Sequence, residues 1–220
     1  MELDRIYIGD CMDFLKRLDD KAVDFTLTDI PYGEVNRDSN GLRALDKKDA
    51  DILNFPLQDF LKEVYRVTKN NVCIFCGREQ FSEIYSYFAQ KEGTVRPIVW
   101  EKTNPSPMNG EFVYLSGVEF AVWFKKKGSK TFNAFCKNTV FRYPSGDSSI
   151  HPTSKNVKLF EQLILDNTNP EDVVLDTCMG GGTTAFACIE LSRHFIGFEL
   201  NEEYVRKTNE RLQQVQLKFF

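Results

Sequence analysis

Val173-Val174-Leu175-Asp176-Thr177-Cys178-Met179-Gly180-Gly181-Gly182-Thr183-Thr184 decides how the rest of this chain is read. Its first three residues make a very apolar strand, and the strand ends on a carboxylate. A triple glycine follows, where no Cβ keeps the backbone from approaching a ligand. A helix over Ala185 to Leu191 comes next, and then a second strand, Phe195-Ile196-Gly197-Phe198, that ends on Glu199. Strand, glycine turn, helix and strand make a βαβ unit. A carboxylate after the second strand of such a unit hydrogen-bonds ribose hydroxyls in dinucleotide folds. The pattern points to a nucleoside-containing cofactor. It is not the NAD fingerprint, because the glycines are not spaced as G-x-G-x-x-G, and no P-loop sequence occurs.

Working outward, the spacing of apolar residues predicts further strands at Arg5–Ile8, Val23–Thr28, Val72–Phe75, Val95–Trp100 and Val118–Phe124. Helices are predicted at Cys11–Leu18, Leu57–Val67, Gln80–Gln90 and Val157–Leu165, with a last helix capped by Asn201. Strand and helix alternate. The expected class is therefore α/β: a doubly wound, mostly parallel sheet with helices on both faces and the Val95 and Val118 strands as antiparallel neighbours at one edge. At 220 residues the chain fits a single domain, 1–220.

Asp29-Ile30-Pro31-Tyr32 follows the Val23 strand. Pro31 lacks an N–H for the ladder, so the chain leaves the sheet at that strand's carboxyl end, the edge where ligands sit in open α/β sheets. A carboxylate, a carbonyl restricted by the following proline, and an aromatic ring stand within four residues. Two acceptors and a ring suit a planar base that carries an amine. The rival reading at this point is a strand followed by an ordinary loop.

The net charge of −4 excludes a global electrostatic footprint for nucleic acid, so such a partner needs a local patch. Residues 125–142 carry Lys125, Lys126, Lys127, Lys130, Lys137 and Arg142 without Asp or Glu, interleaved with Phe132, Phe135 and Phe141. That stretch suits phosphate contacts and base stacking; a solvated basic hairpin is the alternative. Residues 33–55 are polar and contain breakers, and are expected to form a mobile loop. No run of 18 apolar residues and no leader is read, so no membrane span is expected. The six cysteines have no framework spacing and are read as reduced thiols of a cytoplasmic protein. Cys73 and Cys76 are read as core residues and not as a metal site.

Taken together, these stretches resemble the S-adenosylmethionine-dependent amino-methyltransferases of DNA in their circularly permuted beta arrangement. Asp29-Ile30-Pro31-Tyr32 stands for that family's Asp-Pro-Pro-Tyr, and Asp176 to Thr184 for its Asp-Pro-Phe-x-Gly-Ser-Gly-Thr-Thr. His151-Pro152-Thr153-Ser154-Lys155-Asn156 matches its His-Pro-Thr-x-Lys-Pro. Gly9-Asp10-Cys11, Trp100-Glu101-Lys102 and Gly197-Phe198-Glu199 complete the series, in the family's order and over nearly the whole chain. Ile30, Thr177, Cys178 and Asn156 are departures from the pattern.

The resemblance implies a methyltransferase fold whose ends lie close together, with S-adenosylmethionine as cofactor and no metal. It implies that Asp10 and Cys11 meet the adenine of the cofactor and that Glu199 meets its ribose. Asp176, Cys178, Gly180, Gly182, Thr183 and Thr184 would hold its methionine portion, with His151, Pro152, Thr153 and Lys155 lining the pocket. Asp29, Ile30, Pro31 and Tyr32 would form the catalytic motif. Lys102, Lys126, Lys130, Lys137 and Arg142 are the candidate contacts to double-stranded DNA, within a small basic target-recognition insertion at 125–150. The implied reaction is methylation of adenine N6, since an opening Asp usually accompanies adenine. Cytosine-N4 methylation is the alternative. A protein-glutamine methyltransferase and an inactive DNA-binding subunit of the same fold are more distant ones. A homodimer, a helper chain or a cognate restriction nuclease is a possible partner.

Overall fold

The computed structural model of the chain describes residues 1–32, 55–107, 110–146 and 155–216. In chain order the elements are β1 (Arg5–Ile8), α1 (Cys11–Leu15), β2 (Val23–Asp29), α2 (Leu57–Val67), β3 (Thr68–Cys76), α3 (Arg78–Ala89) and β4 (Gly93–Lys102). They continue with β5 (Val118–Lys126), β6 (Val140–Tyr143), α4 (Val157–Asn167), β7 (Val173–Asp176), α5 (Thr183–Glu190), β8 (His194–Glu199) and α6 (Glu202–Gln216). The strands form one eight-stranded sheet in the order β1-β8-β7-β2-β3-β5-β4-β6. Neighbours are parallel except at β5, which runs against both β3 and β4.

The strands read as continuous apolar runs because both faces of the sheet are covered. Phe25, Leu27, Cys73 and Phe75 point into one core with α4, α5 and α6. Val23, Val72, Ile74 and Cys76 point into the other, against α1, α2 and α3. Cys73 and Cys76 thus face opposite sides of β3, and burial pushes both thiols up, Cys76 to about 12. Both are core residues, and their opposite directions rule out a shared metal.

Sequence and structure differ at one end of the sheet. The expected edge pair is present as β4 and β5, but β6 lies outside them and pairs in parallel with β4. β6 has only four residues within a basic stretch, too few to show a period, and its buried member is Phe141. It covers β4 over Val99–Lys102 only. Pro97 therefore lies where β4 is still an edge, as a proline in a strand must. Among the described residues no helix is long and apolar enough to cross a membrane. The loop expected over 33–55 falls, except for Phe55, outside the described residues.

The order of the strands fixes where a ligand can sit. From β2 the chain winds through α2 to β3 on one side; from β7 it winds through α5 to β8 on the other. The border between β7 and β2 is thus a topological switch point, with a crevice at the carboxyl ends of the strands. Phe25 pairs with Val174 and Thr26 with Leu175, so Asp29 and Asp176 reach that edge side by side. Ile8 pairs with Glu199, which brings Asp10 and Glu199 to it as well.

Gly182 enters α5 with φ +81°, and a Cβ there would stand 2.2 Å from Thr208 Cγ2 of α6. Gly182→Ala is expected to lose about 1–2 kcal/mol from the left-handed backbone alone, and more from the clash. Adding Thr208→Ser should recover only the steric share, which urea unfolding midpoints of the single and double variants will separate.

Candidate active site

β2 delivers Asp29 to the switch point, and Ile30 still bonds to the sheet through its N–H to Phe75 O at 3.1 Å. The turn beyond is held from β3 and α3. Gln80 Nε2 donates to Pro31 O at 2.8 Å, while Gln80 Oε1 accepts from Gly77 N at 2.8 Å. The Ile30 side chain is buried, an apolar anchor that needs no proline.

Around this turn lies a cluster of ionised groups that the sequence motifs only partly contain. Lys155, itself buried, places Nζ 2.6 Å from Asp29 Oδ2 and 2.9 Å from Glu119 Oε2, and donates to Tyr32 OH at 2.9 Å. Tyr32 OH donates to Glu119 Oε2 at 3.0 Å, and Lys102 Nζ lies 2.6 Å from Glu119 Oε1. Asp29 Oδ1 is the exception: it is buried and, among the described residues, is the one such side-chain polar atom without a hydrogen-bond partner.

The charges explain the ionisation of each group. Burial raises the Asp29 carboxyl above the usual range, Lys155 opposes this, and the Glu119 charge adds to it. Burial would raise Glu119 too, but Lys155 and Lys102 bring it down to about 2. Lys155 is disfavoured by burial and yet raised by Asp29 and Glu119. Burial, followed by the two carboxylates, pushes the Tyr32 phenol well up. The site therefore sets two acidic side chains, Asp29 and Glu119, against two lysines and a phenol that stays neutral.

Across the switch point, Asp176 anchors the glycine turn. Its Oδ1 accepts from Thr28 Oγ1 at 2.9 Å and from Cys178 N at 3.1 Å, and its Oδ2 accepts from Thr184 Oγ1. Burial raises its carboxyl to about 6 against these bonds. Glu199 accepts from Gly180 N at 2.7 Å and Asn201 N at 2.9 Å. Asp10 caps α1 through Met12 N at 2.8 Å, and Cys11 lies beside Cys178, whose thiol it pushes up ahead of burial. Thr183 Oγ1 donates to Lys155 O at 3.5 Å. Lys155 thus touches the glycine turn with its backbone and Asp29 with its ammonium. His151, Pro152 and Thr153 lie outside the described residues. Glu119 belongs to none of the motifs; an acid opening an otherwise apolar strand was its one sequence signal.

The basic residues do not gather at this mouth. β5 begins at the catalytic edge and carries its far end away, its nine residues spanning roughly 25–30 Å. Lys126 therefore lies at the opposite edge. Its ammonium donates to Tyr65 O and Thr68 O at the end of α2 and lies 4.0 Å from the Tyr65 ring centre, and burial lowers it to about 8. Lys126 is not placed as a phosphate contact. Exposed Lys130 is at that far edge too, since Asn71 at the start of β3 bonds Ser129 and Thr131 on either side of it. Lys137 pairs with Asp166 at 2.6 Å, and Lys102 belongs to the charged cluster around Asp29 and Glu119. Arg142 does reach the catalytic edge, where it pairs with Glu101 at 2.9 Å in solvent.

Known proteins share this fold. The N6/N4 methyltransferase family model, described as DNA methylase, matches residues 23–143 and 135–210. The Type II methyltransferase M2.MboI of Moraxella bovis is 26% identical over 240 residues, covering 96% of this chain and 88% of that protein. The crystal structure of the M1.HpyAVI–SAM complex superposes with a TM-score of 0.73 at 31% identity, over 94% of this chain and 98% of that one. The cytosine-N4-specific PvuII DNA methyltransferase superposes with a TM-score of 0.75 at 18% identity, over 94% and 85%, a likeness of fold.

Lys126→Ala leaves two helix-end carbonyls without their charged donor. It is expected to destabilise the protein by about 1–3 kcal/mol. The salt dependence of DNA binding should be unchanged, whereas a true phosphate contact would take about 0.9 from its slope. Thermal melts and binding titrations at several salt concentrations check both.

Proposed function

The chain belongs to the N6/N4 DNA methylase family, and on that premise we propose that it transfers a methyl group from S-adenosylmethionine to the N6 amine of adenine in double-stranded DNA. The observation that carries this reading is Asp29 Oδ1, a buried acceptor without a partner among the described residues, in the turn that also contains Ile30 and Tyr32. Buried polar atoms are nearly always bonded. One that is not, at a switch-point crevice, is an acceptor kept for a ligand's hydrogen.

The residues present fit the cofactor. The glycine turn follows Asp176, whose carboxylate holds Cys178 N and Thr184 Oγ1, and the Glu199 carboxylate closes the turn through Gly180 N at the end of β8. Asp10, the Asp176–Thr184 turn and Glu199 would hold it. When bound, S-adenosylmethionine supplies an electrophilic methyl group on a sulfonium that departs as a neutral thioether.

The chain's own residues then have a defined task. An adenine amine is a weak nucleophile because its lone pair is delocalised into the ring. Asp29 Oδ1 and the Ile30 carbonyl each accept one amine hydrogen, which turns the nitrogen towards sp³ geometry and aims the lone pair. The nitrogen becomes cationic during transfer, and fixed acceptors stabilise that charge without reorganising. Asp29 Oδ1 is also the nearest base for the proton that the methylated amine sheds, and burial makes it more basic than a surface carboxylate. Extruding the base costs a few kcal/mol, which stacking on Tyr32, about 1–3 kcal/mol, partly offsets.

Adenine is preferred to cytosine because the motif opens with Asp29. Both amines need two acceptors, so the choice rests on the family's habit of pairing an opening Asp with adenine and an opening Ser with cytosine. The arrangement is also read as circularly permuted, supported by the pairing of β1 beside β8 and the packing of α6 on β1.

DNA is proposed to lie over the catalytic edge. The segment between β4 and β5 is rooted there, with Lys102 N bonded to Gly117 O at 2.8 Å, and its Asn104 side chain accepts from Ser145 N at 2.7 Å. Phe112 and Tyr114 on this segment are 82% and 102% exposed. Such apolar rings suit stacking against bases or wedging beside an extruded one. With Arg142, they replace the far lysines as the proposed recognition surface within this single domain.

Asp29→Ala should abolish methyl transfer while cofactor affinity is retained, since losing one preorganised polar partner costs about 10²–10³ in rate. Nucleoside mass spectrometry of DNA from an unmethylated host expressing the chain should show N6-methyladenine. N4-methylcytosine alone would overturn the base assignment. Replacing Phe112 and Tyr114 with Ala should weaken DNA binding about ten-fold or more, from roughly 1–3 kcal/mol per lost stack, without changing cofactor affinity; fluorescence anisotropy and calorimetry measure the two.

A further inference from the structure

Asp29 works only if its free oxygen stays where the amine will be, and its own side chain has two torsions to hold. The other oxygen is gripped by Lys155 at 2.6 Å. Lys155 is itself a long, flexible ammonium that could swing to other partners. Its donors are accounted for by Asp29, Glu119 and Tyr32, at 2.6, 2.9 and 2.9 Å. Glu119 is the point at which this set closes. Its Oε2 takes both Lys155 and the Tyr32 hydroxyl, and its Oε1 takes Lys102. The backbone of Glu119 cannot drift, because it pairs with Trp100 in the β4–β5 ladder and Trp100 is buried.

Resting on the methyltransfer reading above, we propose that Glu119 is a positioning residue. It fixes the Lys155 ammonium and the Tyr32 hydroxyl together, so that one oxygen of Asp29 is pinned and the other stays free for the target amine. One carboxylate on the antiparallel strand thereby couples the amine acceptor to the ring on which the flipped base stacks. Lys102 balances its charge.

Charge makes this testable apart from packing. Two carboxylates and two ammonium groups face one another here, and Cys76 and Asp176 are the next ionisable neighbours of Asp29. Glu119→Gln removes one negative charge, which lowers the pKa of Asp29 and of Lys155 alike. Both limbs of the pH–rate profile should move to lower pH, by about one unit, and kcat should fall about 10–100-fold from misplacement. Cofactor affinity should hold. Lys155→Met removes the positive charge, so its acid limb should move up instead. Glu119→Asp keeps the charge and should return both limbs to their original positions.

The decisive experiment compares these pH profiles on a duplex oligonucleotide with a 13C NMR titration of the Asp29 carboxyl in the same variants, which needs neither DNA nor turnover. Opposite shifts in Glu119→Gln and Lys155→Met, in both measurements, support the proposal. An unmoved Asp29 titration, or a loss of rate that only tracks a lower melting temperature, would overturn it and leave Glu119 a packing residue. Absence of methyl transfer by the unaltered protein would refute the proposed function. Transfer to cytosine would refute the base assignment. In either case the NMR titration still decides the role of Glu119.

Discussion

A carboxylate leaves water only against a partner, and among the described residues Asp29 has one for Oδ2 and none for Oδ1. Leaving such an acceptor unmet costs about 1–3 kcal/mol. The cost is sustained because β2 is clamped between β7 and β3, and because the turn after it is bonded to Gln80 and Phe75. Most of the site's architecture serves that one atom. The ammonium beside it, the carboxylate behind the ammonium and the phenol between them keep the pair ionised without filling the last acceptor position.

The two halves of the site are joined by few bonds. Thr28, next to Asp29 in the chain, donates to Asp176 at the root of the glycine turn. Lys155 bonds that turn through its carbonyl and Asp29 through its ammonium. The glycine turn, proposed to hold the cofactor, and Asp29, proposed to accept the target amine, therefore share supports, and displacement of one carries the other along. In a reaction that is mostly positioning, sub-ångström agreement between the two is the main contribution a protein makes.

β5 has a double use. As the strand that runs against the others, it starts at the catalytic edge and brings Glu119 there, opposite Trp100 and next to Lys102. The same direction carries its basic end to the far edge, where Lys126 satisfies carbonyls at the end of α2. Lys126, within a run of lysines, is in this case a structural cap at one end of a strand, and the nucleic-acid surface is sought at the other end, beside exposed Phe112 and Tyr114.

The sequence by itself determined the α/β class, the alternation of buried strands with helices, and the arrival of Asp10, Asp29, Asp176 and Glu199 at the ends of strands. Those features follow from local rules: apolar runs, a proline that ends a ladder, glycines that open a turn. The motifs likewise carried the family. What local rules could not supply was anything set by pairing between distant segments. β6 is too short to show a period and exists because β4 offers it an edge. Lys155 was read with the cofactor pocket, but its side chain crosses the switch point to Asp29. Glu119 carries no motif at all and matters because an antiparallel register sets it against Lys155, Lys102 and Tyr32. The lysines after it were grouped by charge, which is visible in a sequence, whereas the strand direction that carries Lys126 and Lys130 to the far edge is not. Proximity across a sheet is fixed by register and direction, and these are properties of the packed chain.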